Sequence, residues 1–280
     1  MDCWQLTIAS SDRRHAFADH AVRLVVVHVL VRIAGPVALL WCVVDDHLHL
    51  VVACTRAEAG RLAQRLSLAL AAAVPEAGLD PARICAVQDR RHLYTLVPYV
   101  LTQTWKHGLP GHPGRWEASC FADLIGARVL SGYDPRPLTR ALPRLTEREI
   151  LDAVEVPPAA IRPFEEGRLD TLLPADLVAA AASAVGVPDL SGSRRPVVEA
   201  KRVVARFARG QGWPTVRLAE LLGVHPASAR RFATAVANPR VERAFRRQLT
   251  LRASVPAERR TAFAVPEALP GGWERPHRAR

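Results

Sequence analysis

The chain of 280 residues is 49% apolar, enough to bury one large core or two modest ones, and carries a formal net charge of +11. That excess is local: residues 191–252 hold 14 Lys+Arg against 3 Asp+Glu, and the rest of the chain balances at 24 of each. Such a bias excludes a generally basic protein and leaves two readings for that segment, a polyanion-binding module or a solvated charged face on a helical domain.

The first 130 residues alternate strand and helix signals. Cys3 to Ala9 reads as a strand and Ala16 to Ala34 as a Val- and Leu-rich helix, which Gly35-Pro36 breaks. Val37 to Val44 and Leu48 to Cys54 are apolar strands joined by a turn at Asp45-Asp46-His47. Ala57 to Val74 has helical spacing, with Leu62, Leu66 and Leu70 on one face. Arg83 to Gln88 is a short strand and Arg90 to Trp105 a helix. The order β-α-β-β-α-β-α predicts an α+β fold, a ferredoxin-like antiparallel sheet with helices on one face.

Residues 131–190 hold eight prolines and little periodicity, and read as a connector with short helices. Residues 191–252 are helical again. Val197, Val198, Val203, Val204 and Phe207 form an apolar stripe ended by Gly210-Gln211-Gly212, Thr215 to Leu222 is a second helix, and Pro226 opens a third after the Gly223 turn. Residues 253–280 form a Pro- and Arg-rich tail. The five cysteines are odd in number and never spaced C-x-x-C, so neither a disulfide framework nor a zinc site is expected, and Cys42, Cys54 and Cys85 read as buried. With no basic-then-apolar opening segment and no apolar run of spanning length, a cytoplasmic protein with no membrane partner is expected.

Chemistry concentrates at His47-Leu48-His49-Leu50. On a strand, residues two apart share a face, so both imidazoles project together. They are either a pair of metal ligands or two polar residues on a wetter face. Tyr99 and Gln103, four apart on the predicted Arg90–Trp105 helix, also share a face and can deliver a phenol and an amide oxygen to that pair. The bland alternatives are an amphipathic tyrosine packed on the sheet and a solvent-exposed glutamine.

Taken together, these motifs resemble the REP-associated tyrosine transposases, which belong to the single-tyrosine HUH enzymes. Trp41 to Val52 is similar to that family's His-hydrophobic-His strand. Tyr99-Val100-Leu101-Thr102-Gln103 with Gly108-Leu109 resembles its Tyr-Ile-His-Leu-Asn-Pro helix and trailing Gly-Leu. Trp116 and Ser119 resemble its Trp-Ser-Ser stretch, and Arg13-Arg14-His15-Ala16-Phe17 its Arg-rich segment after the first strand. The resemblance spans Cys3 to Gly126. The chain departs from it in three places. The turn is Asp45-Asp46 instead of Pro-Asn, Gln103 replaces an asparagine, and Pro98 precedes the tyrosine. Related insertion-sequence enzymes use Gln at the Gln103 position.

The resemblance implies a nucleophile at Tyr99, a divalent ion (Mg²⁺ or Mn²⁺) on His47, His49 and Gln103, and DNA contacts from Arg13 and Arg14. It further implies cleavage and rejoining of single-stranded, hairpin-associated DNA through a 5′-phosphotyrosine, by a monomer or homodimer. On ligand preference Mn²⁺ suits two imidazoles better than Mg²⁺. For the C-terminal segment, Val216, Leu218, Leu221 and Leu222 pattern a helix-turn-helix whose second helix offers Ser228, Arg230 and Arg231 to duplex DNA. An ordinary three-helix bundle fits the same pattern. Two other functions remain open: a catalytically inactive, domesticated DNA-binding regulator, and a rolling-circle replication initiator or relaxase.

Overall fold

The computed structural model describes residues 2–11, 15–162, 164 and 173–255. It opens with β1 (Cys3–Ala9), α1 (His20–Ala34), β2 (Ala38–Val43), β3 (His47–Ala53), α2 (Arg56–Ala73), β4 (Arg83–Val87) and α3 (Arg90–Leu101). The strands form one sheet in the order β2-β3-β1-β4, every neighbour antiparallel. β3 thus lies between β1 and β2, the split β-α-β arrangement of ferredoxin-like folds, as the element order predicts. α1 and α2 pack on one another. β2 and all of β3 but its last residue are buried, so both sheet faces are covered at the centre.

Local chemistry sets the ends of these elements. α1 starts at His20, four residues later than its apolar pattern suggests, because the Asp19 side chain accepts from Val22 N at 3.0 Å and caps the helix there. Thr55 and Glu58 form a reciprocal capping box at the start of α2. The helix predicted over Arg90 to Trp105 stops at Leu101. Pro98 inside it brings no N–H, and at Thr102 both the backbone N–H, at 3.0 Å, and the hydroxyl, at 2.7 Å, close onto the Pro98 carbonyl. A separate turn, α4 (Gln103–Lys106), follows.

Short helices α5 (Phe121–Leu124), α6 (Arg136–Ala141) and α7 (Glu147–Ala153) come next. The chain then continues as α8 (Pro174–Val185), α9 (Arg195–Gly210), α10 (Thr215–Leu222), α11 (Pro226–Thr234) and α12 (Pro239–Ser254). α11 ends at Thr234, and Asn238 caps α12 by accepting from Arg240 N at 2.9 Å. The turn between α10 and α11 rests on Gly223 at φ 58°, a left-handed conformation that glycine takes without strain.

Two apolar clusters result. The first gathers the sheet, α1 to α3 and, from the Pro-rich stretch, Leu138, Leu142, Ile150 and Leu151. The second gathers α8 to α12 around Phe207 and Phe245. α12 serves both: Phe245 and Leu249 lie in the second, while Leu251 lies in the first together with Val255 just beyond the helix. Of the cysteines, Cys54 and Cys85 are only half-buried, because they sit at the strand ends and edge of the sheet. All five thiols are free. Among the described residues no helix is long and apolar enough to cross a membrane.

Candidate active site

β3 puts His47 and His49 on one face of the sheet, 4% and 6% exposed. Their Nε2 atoms face each other at 3.0 Å, with the rings edge to face. Adjacent ligands of an ion bound at about 2.1 Å are about 3.0 Å apart in octahedral geometry, so the spacing fits a shared ion.

The other ring nitrogens are held from behind. His47 Nδ1 hydrogen-bonds the Asp46 carboxylate. Across the β1–β3 pairing, Thr7 stands opposite His49, and its hydroxyl lies 3.3 Å from His49 Nδ1, with Gln5 Nε2 at 3.4 Å. An acceptor on Nδ1–H, the Asp46 carboxylate for His47 and the Thr7 hydroxyl for His49, leaves the Nε2 lone pair for an ion and fixes the ring's orientation. Burial first, and after it the charges of His47, His107 and Lys106, bring the His49 pKa down to about 3 against a hydrogen bond with Gln103 that raises it. The imidazole is therefore neutral, the form that ligates.

From the facing helix, Tyr99 brings its ring within 5.4 Å of His49, centroid to centroid. Burial pushes its phenol above the ordinary value, against a hydrogen bond from Gln103 that lowers it. Gln103 is 1% exposed, and its Nε2 donates to the Tyr99 carbonyl at 2.7 Å. Lys106 places Nζ 3.6 Å over the Tyr99 ring, and loss of water there draws the ammonium down to about 8. His107 packs on His47 at 4.6 Å between ring centroids. Asp46, His47 and His107 form a further grouping whose ligand atoms lie within 4.8 Å of one another.

The hairpin carrying the histidines is pinned from outside. Asp45 pairs with His15, and its carbonyl accepts from Phe17 N at 2.8 Å. Trp116 Nε1 donates to the Val43 carbonyl at 2.8 Å, and Ser119 bridges to Cys42. The two acidic turn residues thus have separate partners, Asp46 on a candidate ligand and Asp45 on the segment after β1.

His47, His49, Tyr99 and Gln103 converge; the remaining candidates lie elsewhere. Ser228, Arg230 and Arg231 sit on α11, Ser228 half-buried and both arginines exposed. Val216 on α10 is 61% exposed instead of core, because Leu218, Ala219 and Leu222 already supply that helix's inward face. Arg13 and Arg14 lie outside the described residues. Sequence reasoning missed Gln5, Thr7, Lys106 and His107. Their signals were a polar pair two apart in an apolar strand, and a histidine one further helical repeat past Tyr99 and Gln103.

No protein-family model and no curated protein matches the chain. Among solved structures, the chain is similar to the one described as "Structure of the REP associates tyrosine transposase bound to a REP hairpin". The likeness has 17% sequence identity and a TM-score of 0.37, and covers 44% of this chain and 79% of that one.

Proposed function

We propose that the chain cuts and rejoins single-stranded DNA through Tyr99, as a single-tyrosine HUH transposase-type enzyme, and grips duplex DNA with a helix-turn-helix formed by α10 and α11. The observation that carries this is the convergence of two buried Nε2 atoms 3.0 Å apart with the Tyr99 ring 5.4 Å from His49. The motif resemblance over Cys3 to Gly126 supports the same reading.

His47 and His49 would hold a divalent ion, Mg²⁺ or Mn²⁺, with Gln103 and His107 as the donors within reach. The ion would neutralise the charge that builds on a scissile phosphate in the transition state. The Tyr99 oxygen attacks phosphorus; the P–O bond to it forms as the bond to the 3′ oxygen breaks. Burial holds the phenol proton on; it passes to water as the oxygen attacks, and the departing 3′ oxygen takes one back from water. The Lys106 ammonium over the ring stabilises the developing phenolate. The 3′ oxygen departs as a hydroxyl and can reverse the attack, which is how one site both cuts and joins. Asp46 and Thr7 keep the imidazoles aimed.

The test is a covalent adduct between the purified protein and a labelled single-stranded oligonucleotide. Tyr99→Phe abolishes the adduct. Tyr94→Phe and Tyr133→Phe leave it, because Tyr94 is tied to Glu149 at the surface and Tyr133 donates to the Leu39 carbonyl inside the core. An adduct that survives Tyr99→Phe overturns the assignment.

A further inference from the structure

Where the Gly114–Glu117 stretch meets α8 and α12 lies a cavity of about 210 Å³. None of the residues that converge around His47 and His49 lines it, so its chemistry is independent of Tyr99. Two of its charged residues are compensated. Arg128 forks onto Asp123 and reaches the carbonyls of Glu117 and Ser119. Glu117 takes Arg23 at 3.1 Å and His20 at 2.7 Å.

Arg115 and Arg252 differ. Among the described residues Arg115 makes one hydrogen bond, from Nη1 to the Val255 carbonyl at 3.3 Å. Arg252 Nη2 donates to Ser183 Oγ at 2.8 Å and to the Ala179 carbonyl at 3.2 Å, while its Nε is buried with no partner. Among the described residues neither guanidinium has a carboxylate within the 4.0 Å of an ion pair. Burial brings Arg252 down to about 10, and the charge of Arg115 adds to the fall. Asp176 and Glu117 attract Arg252 from longer range without pairing with it. Two like charges facing one partly buried hollow, one with an unused donor, form an incomplete arrangement that an anion completes.

The geometry points to a phosphate site, in which Arg115, Arg252 and the Ser183 hydroxyl hold the oxygens of one phosphate group. Guanidinium forks match phosphate oxygens in pairs, and the hollow admits the head of a phosphate ester but no duplex. The phosphate can be free, on a small ester, or at the end of a nucleic-acid strand.

Calorimetric titration of the full chain with inorganic phosphate, against chloride and acetate at matched ionic strength, tests this. Saturable one-site binding is expected, weakened roughly tenfold or more by Arg115→Gln. Arg252→Gln would also loosen α12 from α8, so Ala179→Leu, which fills the hollow and keeps both arginines, is the second variant and abolishes binding. Competition then identifies the source. Displacement by an oligonucleotide only when it carries a 5′-phosphate assigns a strand end, and displacement by neither oligonucleotide assigns a free phosphate or small ester; both outcomes support the site. Absence of saturable phosphate binding, or binding unchanged in both Arg115→Gln and Ala179→Leu, overturns it.

Discussion

Gln103 Nε2 reaches back 2.7 Å to the carbonyl of Tyr99, bridging the break at Thr102. The bond fixes the amide beside His49 and the Tyr99 phenol, both of which the amide also hydrogen-bonds. Gln103→Ala removes both the tie and the amide oxygen. Cleavage is expected to fall by about 10- to 100-fold, with weaker Mn²⁺ binding. Gln103→Glu, which restores an oxygen donor, should recover metal binding. Equal cleavage in wild type and Gln103→Ala, measured on one oligonucleotide at fixed Mn²⁺, would remove Gln103 from the site.

The two turn carboxylates should separate. Asp46 bonds the imidazole of His47, so Asp46→Asn is expected to weaken the ion by roughly 10- to 100-fold. Asp45 bonds His15 instead, so Asp45→Asn should leave ion affinity within a few-fold. Mn²⁺ titrations of the two variants side by side decide it.

Burial of His49 makes stability depend on pH. Its folded pKa is about 3 against 6.5 for the free side chain, so the unfolded chain binds this proton more readily between those values. Its contribution is fully present above 6.5 and is lost as the pH falls from there toward 3. The slope from this one group is about 1.4 kcal/mol per pH unit at most. Denaturant unfolding across that window should show a shallower acid loss in His49→Gln. Parallel curves would mean that the acid loss lies elsewhere.

Gly35 stands where the α1 end meets the Gly132 backbone. A Cβ there would lie 2.0 Å from the Gly132 carbonyl oxygen and 2.4 Å from that of Val31, neither of which can rotate aside. Gly35→Ala should cost about 3 kcal/mol or more. Gly210, at the end of α9 with open space around it, is the control: Gly210→Ala should be neutral or stabilising by about 0.5–1 kcal/mol. Chemical denaturation of both variants checks the contrast.

Duplex binding should follow the arginines of α11. An arginine that reads a base costs roughly 1–3 kcal/mol on one sequence alone when replaced by Ala, and one that meets phosphate weakens all sequences and flattens the salt slope by about one unit. Arg230→Ala and Arg231→Ala, both exposed, should fall into one or other class. An unchanged affinity and slope in the double variant would leave α11 as a structural helix.

Much of the sheet was legible because strand and helix periods are local. The apolar runs place β1 to β4 within a residue or two, and the element order predicts the split β-α-β topology. The His47/His49 pair was legible for the same reason, as strand alternation needs no partner. What held the rings was not. Thr7 and Asp46 become meaningful only through pairing across strands and a side-chain bond in the turn. The break at Thr102 was hidden because helical spacing survives it: Gln103 still reaches Tyr99. α12 also escaped separate notice, since its face divides between two clusters and shows no single stripe.

That division has a mechanical consequence. Along α12, Arg247 binds the Ile125 carbonyl, Gln248 Nε2 holds the Ala127 carbonyl at 3.0 Å and Thr250 holds that of Arg162 at 2.9 Å, while Phe245 and Leu249 stay seated among α8 and α9. One helix is thus a splint fastened at both ends. A duplex clamped on α11 would be kept at a set offset from Tyr99, as a jig keeps work at a set distance from a blade. The length of spacer between the sequence gripped and the bond cut would then be dictated by the protein, and inserting nucleotides into that spacer would move the target out of reach.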